Sequence, residues 1–205
     1  MSKECCENVN FDGNNVRYKR VLWVVIAINA AMFVAEITMS WLANSQALLA
    51  DALDFLSDSA TYSLSLLVIG HSVVSRARAS LIKAASLALI AVWVLGSSLY
   101  FWFVGHAPSA TPMLTTAFVA LLANLTCLFL LLHYRDGDSN VRSVWLCTRN
   151  DAASNIAVML TAVLVAYTGW HWPDLLVAIL MAGLFLSTSW QIAMQAREEL
   201  ITCSS

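Results

Sequence analysis

Six long apolar segments run through this chain of 205 residues and constrain its fold more than any other feature. Each segment is close to the roughly 20 residues that an α-helix needs to cross the hydrocarbon core of a bilayer. The chain is 60% hydrophobic and only 12% charged, a composition that excludes an ordinary soluble domain. The sequence therefore predicts an all-α, polytopic membrane protein, a bundle of six transmembrane helices. The predicted spans are Val21–Ala43, Leu48–Val74, Leu81–Val104, Pro112–Tyr134, Val144–Thr168 and Leu175–Met194.

The basic residues indicate how these spans are oriented. All 11 of them lie before span one, in or next to the links between spans two and three and between spans four and five, or after span six. In a six-span order those places share one side of the membrane, and the positive-inside rule makes that side cytoplasmic. We therefore expect a cytoplasmic N-terminal tail over 1–20, a transmembrane domain over 21–194 and a short cytoplasmic C-terminal tail over 195–205. No basic patch interleaved with aromatic residues suggests binding to nucleic acid.

Five acidic residues fall at membrane depth, where a carboxylate costs several kcal/mol and is rarely present without a function. Three of them share one face of the second helix, because their spacings of three, four and seven residues match the helical repeat. We expect no basic residue to lie deep enough to neutralise these acids. The nearest candidate is Arg149, and it points elsewhere on the fifth helix. The five acids are Glu36, Asp51, Asp54, Asp58 and Asp151.

A cysteine completes this acidic pattern. Cys147 lies four residues before Asp151, so the two side chains share a face of the fifth helix. An Asp-x-x-x-Asp pair from one helix and this Cys-x-x-x-Asp pair from another could close four ligands around one divalent metal. A thiolate among the ligands favours Zn²⁺ or a softer ion such as Cd²⁺ over Mg²⁺ and Ca²⁺, which prefer shells made only of oxygen.

The charges of such a site suggest how metal movement is coupled to protons. Carboxylates and a thiolate crowded into a dry site repel one another, so the empty site should hold protons. A metal ion needs deprotonated ligands and expels those protons, and protons that enter from the other side release the metal. The expected activity is metal/proton antiport, with the metal and the protons as substrates and no separate cofactor.

The segment from Asn44 to Asp58, NSQALLADALDFLSD, resembles the second transmembrane helix of the cation diffusion facilitator family. The fifth predicted span resembles the family's fifth helix, which carries His-x-x-x-Asp. The resemblance covers essentially all six spans. Further matching positions are Asn29, Phe33 and Glu36 in the first span, Pro112 and Asn124 in the fourth, and Asp151 and Ser154 in the fifth.

This resemblance implies the ligand set and the function. Asp54, Asp58 and Asp151 match metal ligands of the family, whereas Asp51 matches an aspartate one turn away that supports the site. Cys147 replaces the family's usual histidine, and we predict it as the fourth ligand. The implied protein is a transporter rather than an enzyme. It would export Zn²⁺, and also Cd²⁺, from the cytoplasm across a bacterial inner membrane by proton antiport.

Several features are expected to set this chain apart. The family's usual cytoplasmic C-terminal domain has no counterpart in the sequence, so we expect a short form that dimerises through its membrane helices. A membrane metal sensor or accessory subunit, which binds metal without transporting it, is the alternative. Cys5 and Cys6 either capture soft metal at the cytoplasmic entrance or are incidental thiols. Cys127 is expected to be an ordinary packing residue.

Replacing Cys147 with His should preserve transport but change the ratio of Zn²⁺ to Cd²⁺ flux, because an imidazole ligand is less soft than a thiolate. Flux of each metal into proteoliposomes measures this ratio. An unchanged ratio would make Cys147 a packing residue rather than a ligand.

Overall fold

The structure, a computed structural model, describes residues 16–68, 73–105, 107–134 and 139–204. These ranges contain six α-helices, each of which coincides with a predicted span, so the predicted all-α membrane bundle is confirmed. The helices are α1 (Val16–Ala43), α2 (Gln46–Val68), α3 (Val73–Val104), α4 (Ala110–Leu131), α5 (Ser139–Thr168) and α6 (Trp172–Ser204), and a 3₁₀ turn (Leu132–Tyr134) follows α4.

Four helices, α1, α3, α5 and α6, extend at least five residues beyond the predicted spans at the end that carries the basic residues. For example, α3 begins at Val73, before the predicted start at Leu81, and α6 continues to Ser204 through most of the predicted tail over 195–205. The physical reason is that a helix satisfies its own backbone hydrogen bonds in water as well as in lipid. Neither Pro nor Gly occurs in these extensions to end the helix.

Five helices, α1, α3, α4, α5 and α6, are long and apolar enough to cross a membrane. α2 differs because it carries three aspartates within 23 residues. It packs against α1, α3, α5 and α6, and these neighbours shield it from lipid. Such shielding explains how acidic side chains are tolerated at membrane depth. The chain is therefore an integral membrane protein.

Small side chains allow the helices to pack closely around α2. α3 and α6 form the most extensive helix pair, α1 packs on α2 and α4, and α4 packs on α5. In a bilayer, close backbone approach at small residues is a main source of helix association. The largest buried cluster is accordingly rich in alanine and includes Ala47, Ala50, Ala91, Ala117, Ala178 and Ala182.

The connection between α1 and α2 is one sharp turn. Asn44 has a φ of 52°, the left-handed conformation that commonly ends a helix. The N–H of Ser45 donates to the carbonyl of Ser40 at 3.0 Å and closes the end of α1. The turn therefore delivers Ser45 directly to the start of α2.

A buried carboxylate from α6 caps that start. The hydroxyl of Ser45 and the N–H of Gln46 each donate to Asp174 at 2.6 Å, and the N–H of Ala47 donates at 3.2 Å. Ser45 in turn accepts a hydrogen bond from the N–H of Leu48 at 3.0 Å. The first N–H groups of a helix have no partner within it, so Asp174 satisfies two of them and ties α2 to α6.

Replacing Asp174 with Ala should lower the free energy of unfolding by about 2–4 kcal/mol, because buried donors at the start of α2 lose their acceptor. Thermal unfolding in detergent micelles measures the change. Thr168→Ala, which removes an exposed hydroxyl bonded to its own helix, is the matched control and should change stability by less than about 0.5 kcal/mol. Equal stability of both variants would contradict a structural role for the Asp174 cap.

Candidate metal-binding site

A cavity of about 490 Å³ lies between α2, α3, α5 and α6. Three carboxylates line it: Asp54 and Asp58 from α2 and Asp151 from α5. The fold thus brings together three of the four predicted ligands from helices that are distant in sequence. The other polar lining residues are Ser57, Thr61, Lys83, Ser154 and Thr188, while α6 supplies most of the apolar wall.

The three carboxyl groups lie close together. Asp151 of α5 lies near both Asp54 and Asp58 of α2. Asp58 and Asp151 are buried, and Asp54 is half-buried. Carboxylates crowded into one cavity repel one another, and a bound cation relieves this repulsion.

A tyrosine and a threonine hold Asp58 in place. The hydroxyl of Tyr62 donates to Oδ2 of Asp58 and lies 3.2 Å from Oγ1 of Thr148. Tyr62 and Thr148 are 0% and 1% exposed, so this polar contact is sealed inside the bundle. It links α2 to α5 beside the cavity. Neither residue was identified from the sequence, although Tyr62 lies one helical turn after Asp58, a spacing that places the two on one face.

The fourth predicted ligand, Cys147, belongs to α5 and precedes Asp151 by one turn, but its side chain lies outside the described part of the structure. Among the side chains that are described, no three from His, Cys, Asp and Glu are arranged so that they could hold a metal ion. Of the three carboxylates of the cavity, Asp58 accepts a hydrogen bond from Tyr62. The ligand set of Asp54, Asp58, Cys147 and Asp151 therefore stays a prediction.

The predictions for Cys5, Cys6 and Cys127 differ in whether the structure tests them. Cys5 and Cys6 lie outside the described residues, so the hypothesis of metal capture by the tail stays open. Cys127 is fully buried in an apolar cluster with Tyr18 and Leu131, and its sulfur lies 3.9 Å from Nδ2 of Asn29. Its predicted role as a packing residue is confirmed.

A second acidic pair lies next to the cavity. Glu36 of α1 and Asp51 of α2 are 0% and 1% exposed, and the two acids lie near each other. Both carboxylate oxygens of Glu36 are buried without a hydrogen-bond partner among the described residues. Neither residue lines the cavity. The supporting role of Asp51 stays a prediction.

Lys83 of α3 also lines the cavity, so the expectation that no basic residue reaches the acids was wrong. The reason is that Lys83 and Asp58 lie at the same depth in two consecutive helices. Lys83 is ten residues after the start of α3, and Asp58 is ten residues before the end of α2. Consecutive antiparallel helices bring such residues to the same depth, about 15 Å from the helix ends. The side chain of Arg149, the candidate named from the sequence, lies outside the described part.

The sequence model of one protein family, described as the cation efflux transmembrane domain, matches residues 22–201 of this chain. The chain belongs to the cation diffusion facilitator family. The resemblance inferred from the α2 segment is therefore confirmed.

Individual relatives share the region of the six helices. The zinc transporter ZitB of Yersinia pestis is 30% identical over 197 residues, which cover 89% of this chain and 62% of that protein. The cadmium, cobalt and zinc/H⁺-K⁺ antiporter of Bacillus subtilis is 26% identical over 85% of this chain and 60% of its own length. The metal cation efflux system protein CzcD of Cupriavidus metallidurans is 23% identical over 84% and 58%. The chain thus spans less than two thirds of the length of these relatives.

Replacing Tyr62 with Phe should weaken Zn²⁺ binding by roughly tenfold, because Asp58 loses the donor that orients it, and loss of an outer-shell partner typically costs 10–100-fold in metal affinity. Calorimetric titration of the detergent-purified protein with Zn²⁺ gives the affinity. Tyr167→Phe is the matched control, since Tyr167 is 91% exposed. If Tyr62→Phe and Tyr167→Phe bind Zn²⁺ equally well, the hydrogen bond to Asp58 does not prepare a metal ligand.

Proposed function

We propose that this protein exports divalent metal cations from the cytoplasm in exchange for protons, with Zn²⁺ as a substrate and Cd²⁺ as a second one. The observation that carries the proposal is the meeting of Asp54, Asp58 and Asp151 in one cavity inside a membrane bundle. Ionisable residues within a membrane domain characteristically mark the path of an ion. The names of the relatives, a zinc transporter, a cadmium, cobalt and zinc antiporter and a metal cation efflux system, support the same activity.

The chemistry of the ligands supports Zn²⁺ and Cd²⁺. Two aspartates from α2, together with Asp151 and Cys147 from α5, would offer three carboxylates and one thiolate to a metal in the cavity. Four ligands of this kind suit the tetrahedral coordination of Zn²⁺, and the thiolate extends the preference towards softer ions. The metal is the transported substrate, so the ligands must also release it.

Proton exchange follows from the same carboxyl groups. Crowded carboxyl groups in a dry cavity repel one another when ionised, so protons compete with a metal ion for them. A metal ion binds the deprotonated groups and drives those protons out. When the cavity opens to the opposite side, protons return and the metal leaves. The cycle therefore needs alternating access to one site rather than two separate pathways.

The arrangement in the membrane is part of this proposal. The basic ends of α1 and α6, with Arg17, Lys19, Arg20 and Arg197, lie on the side that the positive-inside rule makes cytoplasmic. We place the protein in a bacterial inner membrane, as the bacterial relatives suggest. A homodimer through the membrane helices is the proposed assembly.

Reconstitution into proteoliposomes that contain a pH-sensitive dye tests the proposal. Zn²⁺ added outside should drive proton movement in the wild-type protein, and Asp54→Asn or Asp151→Asn should reduce this flux to background because the site loses a charged ligand. Glu198→Gln, an exposed acid near the end of α6, is the matched control and should keep the wild-type flux.

Wild-type flux in both aspartate variants would contradict the site. Zn²⁺ binding without any flux in the wild-type protein would favour the sensor or accessory function instead.

A further inference from the structure

We propose that Lys83 is a tethered cation of the metal cavity, which partly neutralises the carboxylates when the metal is absent and opposes the metal when it arrives. Lys83 would then weaken metal binding and promote metal release. The inference rests on the proposed function of the cavity as a metal site.

The position of Lys83 carries this inference. Among the described residues that line the cavity, Lys83 is the only basic one. It is half-buried, lines the same cavity as Asp58 and attracts that carboxylate electrostatically. Leu87, one turn further along α3, lines the same cavity. The face of α3 that carries Lys83 therefore points into the cavity rather than towards lipid.

The simplest alternative is a lysine that extends its side chain to the membrane surface. A lysine near a helix end commonly does so, because the long apolar stem reaches the interface while the charge stays in water. That arrangement would keep the ammonium away from the carboxylates. The placement of Lys83 beside Asp58 in the cavity favours the role of a counter-ion, since a positive charge at membrane depth is costly unless an opposite charge compensates it.

The consequence for transport is electrostatic. A divalent ion held by Asp54, Asp58 and Asp151 brings two positive charges into the cavity that the ammonium of Lys83 lines. Repulsion within a partly buried site is stronger than in water. Lys83 should therefore reduce metal affinity by roughly tenfold, and this reduction helps a transporter, because an ion that binds too tightly leaves too slowly.

The helix that carries Lys83 is packed against α6. Lys83 is on α3, which forms the most extensive helix pair with α6, whereas the carboxylates are on α2 and α5. The hydroxyl of Ser189 on α6 donates to the carbonyl of Ala84 at 2.7 Å, one residue after Lys83. Repulsion between the metal and Lys83 thus acts between the pair α3–α6 and the helices that hold the metal.

Replacing Lys83 with Met tests the proposal, because Met keeps the length of the side chain and removes its charge. Calorimetric titration of the detergent-purified protein with Zn²⁺ should show roughly tenfold tighter binding, and Lys83→Arg should restore wild-type affinity. In proteoliposomes, Lys83→Met should lower both KM and kcat for Zn²⁺, because release becomes slower. A lysine that served only the fold would not produce this combination.

Arg78→Met is the matched control. Arg78 lies on the same helix and carries the same charge, but it is exposed and is not among the residues that line the cavity. It should leave Zn²⁺ affinity unchanged. Lys83→Gln provides a second neutral variant, which should bind as tightly as Lys83→Met.

Wild-type or weaker Zn²⁺ affinity in the folded neutral variants would overturn the role of Lys83 while leaving the metal site intact. If the wild-type protein and the Lys83 variants all fail to bind Zn²⁺, the proposed function fails and the inference fails with it. Tighter binding in both neutral variants, but not in Arg78→Met, would support the tethered cation.

Discussion

Everything in this bundle depends on burying one acidic helix. A carboxylate in contact with lipid is so unfavourable that α2, with its three aspartates, can stay at membrane depth only when other helices surround it. α1, α3, α5 and α6 provide that surrounding, and small residues let them approach α2 closely. Asp174 fixes one end of α2 by accepting hydrogen bonds from Ser45 and from the first N–H groups of the helix. The position of the cavity follows from this placement.

Shielding α2 also determines the chemistry of its side chains. Inside the bundle a polar group must find its partners among other side chains, because water is scarce. Asp58 finds Tyr62, and through it Thr148 of α5, while Asp54 and Asp58 meet Asp151. These partners fix the carboxylates in position and leave them as the polar side of a cavity whose opposite wall is apolar. Such a site can attract a cation with its side chains while the hydrogen bonds of the helix backbone stay intact.

Charge balance distinguishes a transport site from a storage site. Each additional negative ligand raises the metal affinity of a storage site, but a transporter must also release its ion. The family relationship and the three cavity carboxylates account for attraction. Lys83 of α3 lines the same cavity and carries a charge of the opposite sign, which on our proposal promotes release. The pair of Glu36 and Asp51, fully buried beside the site, shows that the acidic interior extends past the cavity itself.

The amino-acid sequence by itself determined the six helices, the family and the helix positions of the acids, because length, hydropathy and the spacing of Asp54 and Asp58 are local properties. The resemblance to the family's fifth helix also predicted that Asp151 belongs with these two aspartates. Only the tertiary structure decided which side chains meet across helices. Tyr62 meets Thr148 and Asp174 meets Ser45 across separate helices, and Lys83 lines the same cavity as Asp58. These placements depend on helix register and packing, which no local pattern encodes.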